Sequence, residues 1–154
     1  MTLPEIQELS RVEEVLESRW PETKIEPSLD RISHLMTLLG DPQFAYPVIH
    51  ITGTNGKTST ARMIESLLSA MGLRTGLVTS PHLHNVTERI RVSGEPIPAA
   101  KFVEIYDELE PYLAIVDTES MSNGGPAMSY FEVLTGMAFA AFADAPVDVA
   151  VNAI

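Results

Sequence analysis

A chain of 154 residues has room for one domain with a core of its own, but not for two full-sized ones. Apolar residues make up 45% of it, no apolar run reaches the length of a membrane span, and the absence of cysteine excludes disulfides, thiolate metal sites and cysteine nucleophiles. The formal charge of −11 excludes general nucleic-acid binding, which needs basic surface, so an anionic ligand would have to be drawn by local donors. The N-terminal "MTLPEIQELSRVEEVL" is charged throughout and lacks an apolar signal core, so the expected location is cytoplasmic, with no membrane partner.

In chain order, Ile6, Leu9, Val12, Val15 and Leu16 recur at helical spacing and predict a helix over Pro4–Arg19. The prolines of "WPETKIEP" predict a loop. Ser28 reads as the N-cap of a helix over Leu29–Leu39, stopped by Gly40 and Asp41-Pro42. "PVIHIT" reads as a short buried strand, with His50 as a core histidine. A helix over Thr58–Met71 and a strand in "RTGLVTS" follow. "SPHLHN" is a loop, "ERIRVSGEPI" an alternating strand turning at Ser93-Gly94, and Pro98–Leu113 a helix disturbed at Pro111. "DTESMSNGGPAMS" reads as a mobile loop, Ser129–Ala143 as helix and "PVDVAV" as another buried strand. Short buried strands alternating with helices predict an α/β fold with a mostly parallel sheet flanked by helices.

Between the first strand and the third helix stands "GTNGKTS", Gly53 to Ser59. Glycines let successive backbone N–H groups converge on an anion, and the helix that follows adds its unpaired N–H groups and positive dipole end. Lys57 suits the β- and γ-phosphates of a nucleotide, and the Thr58 or Ser59 hydroxyl suits Mg²⁺. The general phosphate-loop pattern has four residues between its first glycine and the Gly-Lys pair, whereas Gly53 and Gly56 are separated by two. The competing reading is a strand-to-helix turn that uses glycine only for tightness.

The stretch "GTNGKTSTARMIESLLSAMGLRTGLVTSPHLHNVTERIRVSGEPI" resembles the folylpolyglutamate synthase/dihydrofolate synthase family of the Mur ligase superfamily. The short glycine loop is that superfamily's form of the P-loop. "SPHLHNVTERIRV", "SYFEVLTGMAF" and "IEPSLDRI" are similar to the folate branch, not to the cell-wall ligases, and the resemblance runs from about Ile25 to Val151. It implies a P-loop NTPase-like sheet of the Mur ligase central-domain type and an ATP- and Mg²⁺-dependent ligase. Such a ligase joins L-glutamate to a folate, and in some members to dihydropteroate, through an acyl phosphate. By the same resemblance Gly53, Thr54, Asn55, Gly56, Lys57, Thr58 and Ser59 would hold ATP, with Lys57 acting in catalysis and Ser80 as a Mg²⁺ ligand. Ile25, Glu26 and Pro27, with Ser129, Tyr130, Phe131 and Glu132, would border the pteroate, Phe131 contacting its rings.

The resemblance also implies a truncated chain: residues 1–154 as an incomplete N-terminal ATP-binding domain without the C-terminal glutamate-binding domain. Asn152 and Ala153 stand where the family has an apolar residue and a metal-binding glutamate. The expectations are therefore a chain inactive as a ligase by itself and a sheet edge open to self-association. The alternatives are a catalytically dead nucleotide- or pterin-binding module and, disfavoured by "SPHLHNVTERIRV", a cell-wall Mur-type ligase. Among smaller signals, His82 and His84 have metal-ligand spacing but no third partner, and fit loop packing better. Arg89 and Arg91 suit either an anion or a solvated strand face.

Overall fold

The computed structural model describes residues 1–21 and 28–154, which fold as two units. The first comprises residues 1–42 and 99–140, the second residues 43–98 and 141–154.

The first unit is helical. Helix α1 (Leu3–Glu17) starts with a capping box in which the Thr2 hydroxyl accepts from Glu5 N and the Glu5 carboxylate accepts from Thr2 N. Its buried residues Leu9, Val12 and Leu16 lie on one face, and α1 packs along a later helix, α4 (Ala99–Ser122). Helix α2 (Asp30–Leu38) also packs on α4. Ser28 does not cap α2 as expected. Leu29 is the N-cap, and the Ser28 hydroxyl accepts from Asp30 N one step earlier, in a local turn.

Pro111 does not end α4, which runs 24 residues through it. Leu109, Leu113 and Val116 continue one buried face across the proline. Burying three such side chains outweighs the roughly 3 kcal/mol that a mid-helix proline costs. The expected loop over Asp117–Ser129 is correspondingly shorter, since helix continues to Ser122. The remainder is pinned rather than loose: Ser120 Oγ donates to Pro126 O at 2.6 Å, and Met128 N to Asp117 Oδ1 at 2.8 Å. Met128 is fully buried. Helix α5 (Tyr130–Asp144) follows and carries the chain into the second unit.

The second unit is built on a five-stranded mixed sheet. In chain order it has a 3₁₀ turn (Pro42–Phe44), β1 (Val48–Ile51), α3 (Lys57–Ala70) and β2 (Thr75–Thr79). A second 3₁₀ turn (Val86–Arg89) leads to β3 (Ile90–Val92) and β4 (Glu95–Pro96), and β5 is Val149–Ala153. The spatial order is β1-β5-β2-β3-β4. Strands β1, β5 and β2 are mutually parallel, and β3 and β4 add an antiparallel hairpin. Strands β2 and β5 are buried along their whole length. On one sheet face Ala61 of α3 packs with Leu77, Val151 and Ala153. On the other, Gly76 lets the Phe142 ring approach where a Cβ would stand 2.7 Å from it.

Strand β1 is not the buried strand its apolar run predicts. It lies at the sheet edge, Val48 is 41% exposed and His50 is exposed rather than a core histidine. The physical reason is non-local: β5 inserts between β1 and β2, leaving β1 a neighbour on one side. "ERIRVSGEPI" likewise divides into a 3₁₀ turn and a tight hairpin, which buries Arg89 instead of placing it on a solvated face.

Candidate functional site

The glycine loop leaves the sheet at the C-terminal end of β1, where parallel sheets offer ligands their strand-end loops. Gly53 (φ 142°) and Gly56 (φ 74°) both take backbone conformations that side chains disfavour. Among the described residues no neighbouring atom lies within 4 Å of a Cβ built on either, so torsion rather than space calls for glycine. Gly56 is the N-cap of α3, and no side chain caps the helix. The first helical bond is Thr60 N to Gly56 O at 2.9 Å, so the preceding N–H groups have no intrahelical acceptor. Thr54, Asn55 and Ser59 are exposed, while Lys57 and Thr58 are half-buried. Among the described residues Lys57 pairs with no carboxylate. The loop therefore combines open donors, a helix dipole and one uncommitted cation, the needs of a phosphate group.

Strand β2 brings a second loop to the same end of the sheet. Ile51 of β1 and Thr79 of β2 both register with Ala153 of β5, so the three strands end level. Two strand spacings, about 10 Å, separate the two exits. Ser80, half-buried, begins the second loop, and the Ser80–Pro81 peptide is cis. The Glu88 carboxylate accepts from Leu83 N, His84 N and Asn85 N, and these bonds hold its pKa below the ordinary glutamate value. Asn85 Oδ1 accepts from Thr87 N and Oγ1, and Arg89 Nε donates to His82 Nδ1 at 2.9 Å. His82 thus serves the packing of its loop. Between the two exits Ala153 presents only a methyl group. Beside it Asn152 is buried, with its Oδ1 unpartnered among the described residues.

Thr58, Ser59 and Ser80 supply neutral hard oxygens, the donor type Mg²⁺ takes. The described residues contain no group of three or more His, Cys, Asp or Glu able to hold a metal ion. These hydroxyls are too few to hold Mg²⁺ alone, but they fit an ion carried by phosphate oxygens, which needs only one or two protein ligands.

The start of α5, in the first unit, is closed by the protein itself. Ser129 N donates to Glu132 Oε2 at 2.8 Å, and Glu132 N to Ser129 Oγ at 3.0 Å, a reciprocal capping box. The same carboxylate receives Arg31, from Nε to Oε2 at 3.0 Å and from Nη2 to Oε1 at 2.9 Å. The guanidinium of Arg31 lies 5.5 Å from the centre of the Trp20 ring, and Trp20 Nε1 donates to Ala127 O at 2.7 Å. Of the residues expected to border a substrate, Ser129 and Glu132 are thus occupied by structure, while Tyr130 and Phe131 are half-buried. Ile25, Glu26 and Pro27 lie outside the described residues. Sequence reasoning missed Arg31, Asp117 and Arg19, whose Nη2 donates to Asp117 Oδ2 at 3.0 Å, although the Ser-x-x-Glu spacing at Ser129–Glu132 was a readable signal for the cap. A cavity of about 390 Å³ in this unit is lined by Ser28, Arg31, His34, Val116, Glu119 and Asn123 among others.

A parallel strand, an uncapped glycine loop and a helix beginning on lysine form, in an α/β fold, an arrangement suited to a phosphate group. Residues 51–95 match the family model described as the Mur ligase middle domain. Over 153 residues the chain is 60% identical to the dihydrofolate synthase/folylpolyglutamate synthase of Mycobacterium tuberculosis, covering 97% of this chain and 31% of that one. Human mitochondrial folylpolyglutamate synthase is 42% identical over 104 residues, 68% of this chain and 17% of the human one. Two solved structures superimpose closely. One is M. tuberculosis folylpolyglutamate synthase complexed with ADP, with TM-score 0.91 and 58% identity over 96% of this chain and 32% of that one. The other is the Thermotoga maritima folylpolyglutamate synthase, with TM-score 0.84 and 41% identity over 94% of this chain and 32% of that one. The chain belongs to the folylpolyglutamate synthase/dihydrofolate synthase family of the Mur ligase superfamily. It spans about a third of the length of the M. tuberculosis relative.

Proposed function

We propose that this chain is the nucleotide-phosphate-binding part of an ATP-dependent carboxylate–amine ligase that adds L-glutamate to folates or dihydropteroate. The observation that carries this reading is the uncapped start of α3 at Gly56, with Lys57 free of any carboxylate among the described residues. In the reaction, a carboxylate oxygen of the folate attacks the γ-phosphorus and ADP leaves, giving an acyl phosphate. The amine of glutamate then attacks the acyl carbon, and phosphate departs as the amide forms. Gly53, Thr54, Asn55 and Gly56 wrap the phosphates with backbone N–H groups. Lys57 offsets the negative charge that builds on the transferring group. Thr58, Ser59 and Ser80 would hold Mg²⁺, which when bound supplies further charge neutralisation at the phosphate oxygens. Phe131 and Tyr130, with residues 25–27, border the pteroate.

A second reading is a module that binds nucleotide or pterin without turnover. Ala153 favours it, since a methyl group can neither bind a metal nor orient one at the strand end between the two loops. Under that reading the purified chain incorporates no glutamate into folate, and incorporation would overturn it. The exposed β1 edge suits pairing with a second copy, which light scattering would report as a dimer at high concentration. The charge of −11 suits no nucleic-acid partner. Among the described residues no helix is long and apolar enough to cross a membrane, and a cytoplasmic site fits the substrates.

The experiment that tests the proposal is thermal melting with and without Mg·ATP, beside Lys57→Ala. A ligand at about a hundredfold excess over its Kd adds roughly 2.7 kcal/mol, about 5–10 °C for a chain of this size. The shift is expected in the parent chain and lost in Lys57→Ala. No shift in the parent chain would remove the nucleotide role.

A further inference from the structure

The loop between β2 and β3 is fastened largely by side chains, and the two strongest fastenings come from adjacent residues of one 3₁₀ turn. Glu88 gathers the N–H groups of Leu83, His84 and Asn85, at 3.0, 3.3 and 3.1 Å. Arg89, only 7% exposed, reaches back seven residues to His82 Nδ1. A guanidinium has donors and no acceptor, so in this contact Arg89 donates and the ring nitrogen accepts. The turn that carries both residues runs straight into β3, which is paired to β2. The short segment Ser80–His82 is therefore gripped at both ends. Buried Thr79 in β2 holds one end, and the buried arginine holds the other.

A hydrogen bond from a buried guanidinium to the His82 ring limits where that ring can stand. What it supplies is a fixed direction. We propose that Arg89 is a positioning residue: through His82 it sets where the Ser80 hydroxyl stands at the end of β2, and so controls the Mg²⁺-dependent part of nucleotide affinity. The inference rests on the reading of the glycine loop as a phosphate site. It assigns Arg89 no contact with nucleotide or metal. Partners that orient a metal ligand commonly affect metal affinity by about 10–100-fold when removed.

The test is calorimetric titration of the full chain with ADP, once in excess Mg²⁺ and once in EDTA, for the parent, Arg89→Gln, Arg89→Lys and His82→Ala. The EDTA titration reads the glycine loop alone. The ratio of the two affinities reads the Mg²⁺-dependent contribution, in which Ser80 shares with Thr58 and Ser59. For Arg89→Gln the expected result is a fall of about tenfold or more in Mg²⁺, with less than about a twofold change in EDTA. Arg89→Lys keeps the charge but not the guanidinium geometry, and is expected to follow Arg89→Gln. His82→Ala removes the half-exposed partner, and carries the test if circular dichroism finds the Arg89 variants unfolded. An unchanged ratio in a folded variant would overturn the proposal, and so would an equal loss under both conditions, which marks a general structural role. If the parent chain binds no ADP in either buffer, the phosphate-site reading fails and the positioning role falls with it, an outcome visible before any variant is compared.

Discussion

Two helices begin in opposite ways in this molecule. Helix α5 starts on Ser129 inside a reciprocal capping box, and its first-turn carboxylate, Glu132, is backed by Arg31. Its N-terminal donors and dipole are answered from within the chain. Helix α3 starts on Gly56 in a left-handed conformation with no side chain accepting from its first turn, and its first residue is a lysine. A lysine there is electrostatically unfavourable for an isolated helix, because it places positive charge at the positive end of the dipole. The same physical feature, a set of unpaired N–H groups, is neutralised in one place and intensified in the other. The difference separates a structural junction from a site that gains stability only when an anion arrives.

Breaking the closed helix start should have the largest effect. The side chains of Arg31 and Glu132 are 7% and 13% exposed, so Glu132→Ala removes from a buried guanidinium the carboxylate that meets it along two hydrogen bonds. The expected loss is about 3–5 kcal/mol, because the remaining charge stays desolvated. Thermal denaturation should show a midpoint lower by about 10 °C for a chain of this size. The smaller cut is Ser129→Ala, which removes the hydroxyl that accepts from Glu132 N but leaves the ion pair. It should cost about 1–2 kcal/mol in urea melts, the usual loss for a helix cap. Equal losses for the two variants would mean that the cap, not the buried charge pair, holds this junction.

The two starts were not equally legible in the sequence. The glycine loop was, because Gly53 to Thr58 lie together and their requirement is local: torsion, donors and a lysine at fixed spacing. The Ser129–Glu132 box was local too, but its consequence was not, since Arg31 lies 101 residues from Glu132. Helices α1, α3 and α5 and strands β2 and β5 follow from periodicity. The edge position of β1 does not, because the apolar residues Val48, Ile49 and Ile51 predict burial without saying how many neighbours will share it. That count depends on β5 inserting between β1 and β2. At Pro111 the local signal was real but outweighed by the face that Leu109, Leu113 and Val116 continue. Asp117 and Ser120 read as loop residues because Ser, Asn and Gly crowd that stretch. In the folded chain they are helical side chains that tie the following segment down.

The open helix start yields the smallest stability change and the sharpest contrast. Gly56→Ala adds a methyl group that no atom of the described residues approaches within 4 Å. The cost is torsional: a φ of 74° disfavours an L side chain by roughly 1–2 kcal/mol. Alanine also narrows the unfolded ensemble, which returns about 0.4–1 kcal/mol, so the net loss in the ligand-free chain should be at most about 1.5 kcal/mol. Relief of the torsion requires the chain to rotate away from the left-handed conformation. That rotation turns the N–H of Lys57 and its neighbours off the point where a phosphate would sit. The midpoint without nucleotide should therefore move by only a few degrees, while the upward shift caused by Mg·ATP should be lost or strongly reduced. A full nucleotide-induced shift in Gly56→Ala would show that the left-handed turn is needed for folding economy alone, and that the anion is held elsewhere.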